Sequence, residues 1–213
     1  MYGDLEILNN PALESVEGFA RLIEVTLNLS VQSNDVLATI AEMPALSTVG
    51  LDLTLSDNPK LTAVGGFPAL TEVRGGVMVF DNSALTTLPA LPALTTVGGD
   101  LLLSGLPLLT DINDLSALTS VGGDLRLHGL PGLLNVVGLE ALTSVGGAVV
   151  LMDNPNLRNM DGLEGLTETS AASCASKTTC ASCSSAASTA WSPSAAPWSS
   201  STTSCSPAPR STR

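Results

Sequence analysis

The chain has 213 residues, 3% aromatics, a single His and a net charge of −12. All 20 acidic residues precede Thr169 against five basic ones, so residues 1–168 carry −15 and 169–213 carry +3. An acidic body excludes nucleic acid and anionic membrane as natural partners, since both attract basic surfaces, and no apolar run reaches the roughly 18 residues of a membrane span.

The first predicted element is Leu5-x-Ile7, whose period of two is that of a strand. Apolar residues follow at Leu13, Val16, Phe19, Leu22 and Val25, and then the pattern starts again at Leu29-x-Val31. Stepping by 24 from Leu5 gives Leu29, Leu53, Val77, Leu101, Leu125 and Val149. Stepping from Leu13 gives Leu six more times, ending at Leu157. Seven columns hold over seven turns with one polar intruder, Thr169, the last residue of the Val25 column. Fixed-period self-similarity of this kind is the signature of a solenoid. The apolar steps of three and four fit a helix in isolation, but Val, Thr, Gly and Pro fill the stretch and good helix formers are scarce. The expectation is therefore an extended coil that turns a corner every few residues and points one aliphatic inward each time. The fold class is an all-β-rich solenoid. Each Leu-x-Leu strand pairs with its copies about 4.8 Å above and below as a parallel sheet.

Punctuation supports this reading. Gly98-Gly99, Gly122-Gly123 and Gly146-Gly147 sit between an inward Val and the next strand. They are expected to form an elbow whose backbone angles a Cβ would resist. Pro11, Pro59, Pro107, Pro131 and Pro155 mark a corner outside the ladders. Asn10, Asn34, Asn58, Asn82 and Asn154 share a column, and stacked Asn side chains can bond carbonyls of adjacent turns and hold that corner. Leu106 and Leu130 replace Asn in the fifth and sixth turns, a substitution that fits only if the column faces the core.

The stretch Leu53-x-Leu55-x-x-Asn58-x-x-Leu61 resembles half of a leucine-rich repeat. The Gly elbow preceded by Leu-Thr-x-Val, with Asn-Pro-x-Leu-Thr after the strand, is more similar to the receptor L-domain group. The resemblance covers residues 3–168. It implies a right-handed parallel β-helix of seven 24-residue leucine-rich turns, and an extracellular or cell-surface module for recognition, adhesion or wall association.

From Thr169 the composition changes to Ser, Thr and Ala, without Leu, Val, Ile, Gly or acidic residues. Residues 1–168 are thus expected to form the solenoid and 169–213 a disordered tail. Two origins of the tail stay open: an O-glycosylated stalk, or a C-terminus translated out of frame, since the pattern breaks inside a repeat. All four Cys lie in the tail (Cys174, Cys180, Cys183, Cys205), so cysteine usage says little about the redox compartment. The N-terminus carries no basic-then-apolar leader of the secretory kind.

No catalytic constellation, metal site or cofactor is expected. His128 points outward as a surface His without a Ser/Asp partnership. The stacked pairs Asp100/Asp124 and Asp57/Asp81 could share Ca²⁺, yet each lacks an evident third ligand. A Thr column on another face (Thr71, Thr95, Thr119, Thr143, Thr167) is a weak ice-binding signal. The strongest binding candidate is the outward face of the Leu-x-Leu sheet. Its first half is mostly polar, with Glu6, Leu8, Ser30, Gln32, Thr54 and Ser56. Its second half is an apolar patch of Met78, Phe80, Leu102, Val150 and Met152 with Arg126 and His128 in it. A protein or glycan partner is expected there, as is self-association through this face or through the open ends of the solenoid. A structural wall or matrix role is the alternative.

Overall fold

The computed structural model describes residues 2–173, with the side chains of residues 2–167. The expected disorder of the tail from residue 174 on, with its cysteines, lies outside the described residues. Within them the chain is a parallel β-solenoid, and its helical content is two single-turn 3₁₀ segments, Asn113–Leu115 and Val137–Leu139.

Seven long rungs stack in one ladder: Leu5–Leu8, Leu29–Gln32, Leu53–Ser56, Val77–Phe80, Leu101–Ser104, Leu125–His128 and the end of Ser144–Met152. Every pairing is parallel and offset by 24 residues without slippage, as in Leu5 with Leu29 and Leu125 with Val149. A second ladder consists of two-residue strands from Glu24–Val25 to Ser120–Val121. It joins the first through Ser144–Met152, which runs unbroken around the corner that the earlier turns interrupt. The backbone of Glu168–Ser173 continues this pairing into the first residues of the tail expected to be disordered from residue 169, with a register shift between Val145 and Ala148, because the open edge of Ser144–Met152 offers it backbone partners.

Two recurrent turns explain the apolar steps of three. Leu61 N–H donates to Asn58 C=O and Leu70 N–H to Phe67 C=O, and the same pair of bonds recurs in every turn from Leu13 to Leu166. Each is a β-turn, so residues i and i+3 both face inward while the chain changes direction. Pro59 occupies the second position of its turn, where its fixed φ is already suitable. A third corner follows each long rung. Asn9, Ser33, Asp57, Asp81 and Asp153 have φ of 53–57°, and Gly105 and Gly129 have 61° and 63°. This is the left-handed region that Asn, Asp and Gly enter at least cost.

The Gly elbows have a different cause from the expected one. Gly98, Gly122 and Gly146 do not adopt positive φ. A Cβ there would instead lie 2.1–2.2 Å from the carbonyl oxygen of Arg74, Gly98 and Gly122, one turn earlier. Close approach of stacked backbones, not backbone conformation, selects glycine.

A third ladder, Ser15–Val16, Thr39–Ile40 and Ala63–Val64, is confined to the first three turns. Ala41 N–H donates to Val16 C=O and Gly65 N–H to Ile40 C=O. The next position in that series is Pro89, which has no N–H to give, and the ladder stops there. In the next two turns the same face carries the 3₁₀ segments. Asx bonds open them, from Asn113 N–H to Asp111 Oδ1 and from Val137 N–H to Asn135 Oδ1.

The core is one aliphatic column set. Leu46, Leu70, Leu94, Leu118 and Leu142 are fully buried, as are Val25, Val49, Val73 and Val97. Leu106 and Leu130 are also fully buried, which accounts for their replacing Asn. The Asn ladder works as expected, with a fixed bond set per rung. In Asn58, Oδ1 accepts from the N–H and the side-chain amide of Asn34, and Nδ2 donates to Val31 C=O and Ser56 C=O. One buried side chain thereby satisfies backbone groups of two turns.

Leu94→Asp should cost at least about 3 kcal/mol, because its carboxyl meets only stacked Leu70 and Leu118. Thr95→Asp, one residue along and exposed, should stay within about 1 kcal/mol. Urea denaturation of the two variants checks this, and equal losses would refute the inward assignment.

Candidate binding face on the long-rung sheet

Alternation along each long rung sends two side chains outward, and the 24-residue register aligns them into two rows. One row runs Glu6, Ser30, Thr54, Met78, Leu102, Arg126, Val150. The other runs Leu8, Gln32, Ser56, Phe80, Ser104, His128, Met152. All seven residues singled out from the sequence therefore lie on one face of four consecutive rungs. Met78, Phe80, Leu102, Arg126, Val150 and Met152 are half-buried and His128 is exposed. Neighbours in a row shield one another, so the patch presents side-chain edges rather than isolated protruding groups.

The polar half is not the open surface that its composition suggests. Ser30, Thr54 and Ser56 are buried, and Ser56 is 0% exposed with an Oγ that has no partner among the described residues. Ser56 stands between Gln32 and Phe80 in its row. A short side chain flanked by two long ones at strand spacing is easily overshadowed.

Arg126 is held by carboxylates from two turns. Nη1 donates to Asp100 Oδ2 at 2.6 Å, and Nη2 donates to Asp124 Oδ2. The other oxygens are occupied by backbone: Asp100 Oδ1 accepts Asp124 N–H at 2.7 Å, and Asp124 Oδ1 accepts Ala148 N–H at 2.6 Å. Asp52 Oδ1 accepts Gly76 N–H in the same column. This is a second polar ladder, parallel to the Asn ladder at the opposite end of the rung. The Asp124 N–H bond holds the Asp100 carboxyl below the usual carboxylate range against the opposing effect of burial, and Arg126 adds to the lowering. Asp114 is shifted upward by burial and by the negative charge of Asp111. Among the described residues no group of three or more His, Cys, Asp or Glu is arranged to hold a metal.

His128 is at the surface as expected, but the expectation that it lacks Ser and Asp partners is corrected. Its Nδ1 lies 3.3 Å from Ser104 Oγ and its Nε2 lies 3.1 Å from Asp153 Oδ2. Sequence reasoning missed this because neither partner is near in the chain. The signal was present in the period, since Ser104 is one repeat upstream and Asp153 is one repeat plus one residue downstream. The Thr column is also spent internally. Thr71, Thr95, Thr119, Thr143 and Thr167 each donate Oγ1–H to the carbonyl one turn earlier, bracing the stack.

Among the described residues no helix is long and apolar enough to cross a membrane. No family model matches the chain, and comparison with curated proteins and with solved structures finds no match.

Asp100 has a lowered folded-state pKa, so its contribution to stability is complete above the unfolded value of 3.8 and is lost as pH falls through the folded value. Asp114 is raised and has the opposite sign, favouring folding as pH falls. Asp100→Asn isolates the first effect: the variant should melt below wild type at pH 6, and the gap should close as pH drops below 3.8. Thermal melts from pH 6 to pH 2.5 test it.

Proposed function

We propose that the solenoid is a recognition or adhesion module acting at or outside the cell surface, with the second half of the long-rung face as its contact surface. The observation that carries this reading is the change along two outward rows. Polar, overshadowed residues give way to Met78, Phe80, Leu102, Val150 and Met152 around a carboxylate-braced Arg126. Inward packing does not require that change, because outward positions do not touch the core. A parallel ladder gives the face a fixed backbone, so little ordering entropy opposes binding. Aromatic and Arg side chains carry much of the energy at such surfaces. This reading invokes binding alone, with no catalytic step and no cofactor. The resemblance to receptor L-domains and leucine-rich repeats, carried by the Gly elbow and the Asn-Pro-x-Leu turn, supports the extracellular setting. The acidic body supports a protein or glycan partner over nucleic acid or membrane.

A second reading is a structural wall or matrix solenoid, favoured by the stacking itself and by self-association of open sheet edges. Saturation separates the two. Fluorescently labelled chain, titrated onto glycan and extracellular-protein arrays and onto matrix preparations, should bind saturably. Phe80→Ala with Met152→Ala should weaken binding by about 2 kcal/mol or more in sum, roughly thirtyfold. Thr95→Lys with Thr119→Lys, on another face, should leave it unchanged. Uptake that is linear in concentration and indifferent to all four substitutions would favour the structural role.

A further inference from the structure

Ser104, His128 and Asp153 form a hydrogen-bonded chain, of which the binding reading uses His128 alone, as a residue of the contact face. Ser104 and His128 are consecutive in one outward row. Asp153 follows the next rung at the left-handed corner, with φ of 53°. At that corner the turns of Ser104 and His128 carry Gly105 and Gly129, and a Cβ on Gly129 would meet nothing nearer than Gly105 N at 3.9 Å. The corner at Gly129 is therefore uncrowded, and the side chains of His128 and Asp153 are both exposed to solvent. When the imidazole carries its hydrogen on Nε2, that N–H donates to Asp153 Oδ2 at 3.1 Å. The Nδ1 lone pair then faces Ser104 Oγ–H at 3.3 Å. This is the connectivity of a nucleophile, its base and an orienting carboxylate, with the two ring nitrogens exchanged relative to the serine-protease arrangement.

The geometry points to Ser104 as an activated nucleophile, with His128 as its general base, Asp153 as the positioning residue, and esters of apolar acids with good leaving groups as the substrate class. His128 is the only His of the chain, so no other serine can share this arrangement. Ser56, two positions earlier in the row, is fully buried. Phe80 precedes Ser104 in the row and Leu102 stands two residues before it on the same face, giving an apolar bed for an acyl or aryl group. In the first half-reaction Ser104 Oγ attacks the ester carbonyl carbon while its proton passes to His128 Nδ1. The imidazolium, paired with Asp153, returns that proton to the leaving oxygen, and the alcohol or phenol departs. In the second half-reaction water attacks the acyl-serine carbonyl, its proton passing to Nδ1 and then to Ser104 Oγ. The sum is ester plus water to acid plus alcohol, with no redox change and no cofactor. This inference goes beyond the binding reading and holds or fails without it.

The full chain should be incubated with an alkyl fluorophosphonate and, separately, with p-nitrophenyl butyrate. We expect one phosphonyl adduct on Ser104 by peptide mass spectrometry, together with ester hydrolysis that Ser104→Ala abolishes. His128→Gln should slow labelling by at least ~100-fold. Asp153→Asn should slow it by at least ~10-fold and Asp153→Glu should recover it, a rescue that a merely structural carboxylate would not show. Labelling of Ser104 at an unchanged rate in His128→Gln, or no adduct on Ser104, would overturn the proposal. Ester hydrolysis that survives Ser104→Ala would also overturn it, because it would mean His128 acting alone as the nucleophile. Circular dichroism on each variant guards against lost fold.

Discussion

Everything in this molecule depends on the hydrogen bonding of each turn to the turn 24 residues away. No single turn can bury its own aliphatics or satisfy its own strand groups. Val25 and Leu46 are buried only because Val49 and Leu70 lie on them, and those in turn lie under Val73 and Leu94. Registration is therefore the quantity under strictest control. A slip by one residue would turn the inward residues of every long rung to the outside, because the strand period is two.

Two polar ladders hold that register at either end of the long rungs. On one side Asn side chains reach back a turn, and on the other Asp side chains reach forward a turn. In both cases a carbonyl or carboxylate oxygen accepts the backbone N–H of the neighbouring rung. Both act where corners interrupt the strand ladder and would otherwise leave backbone donors unpaired. The ladders are replaceable piece by piece. Where Leu106 and Leu130 take the Asn position, burial substitutes for hydrogen bonding. Where Pro89 removes a donor, a whole side of the solenoid abandons its strands and later turns use 3₁₀ segments. The long-rung face continues unchanged through both events. Its strand pairing runs in constant register from Leu5 to Met152, which gives the outward side chains a regular backbone.

On that face stacking also brings polar side chains that are far apart in the chain into contact. Ser104, His128 and Asp153 are separated by about a repeat each, and Arg126 meets Asp100 and Asp124 by the same rule. Strand spacing alone places such groups within hydrogen-bonding reach. Partner binding and nucleophilic chemistry would share Phe80 and Leu102, so an acyl donor and a macromolecular partner would compete for the same surface.

The sequence by itself determined the solenoid, its period, the inward columns, the corner prolines and the Asn ladder. These follow from one-dimensional periodicity, and in a stack the period is also the spatial neighbour relation. It located the seven residues of the outward face for the same reason. The tertiary structure alone decided what depends on distances finer than a column. Gly98, Gly122 and Gly146 answer to a carbonyl one turn below, not to their own φ. Ser30, Thr54 and Ser56 are buried despite pointing outward. The strand side lost after Val64 required knowing which N–H met which carbonyl across turns. The partners of His128 required the left-handed corner at Asp153, which turns a carboxylate onto a ring that the alternation rule would have placed out of its reach. Periodicity reports which residues are stacked; side-chain direction, shadowing and corner conformation are set only when the turns are packed.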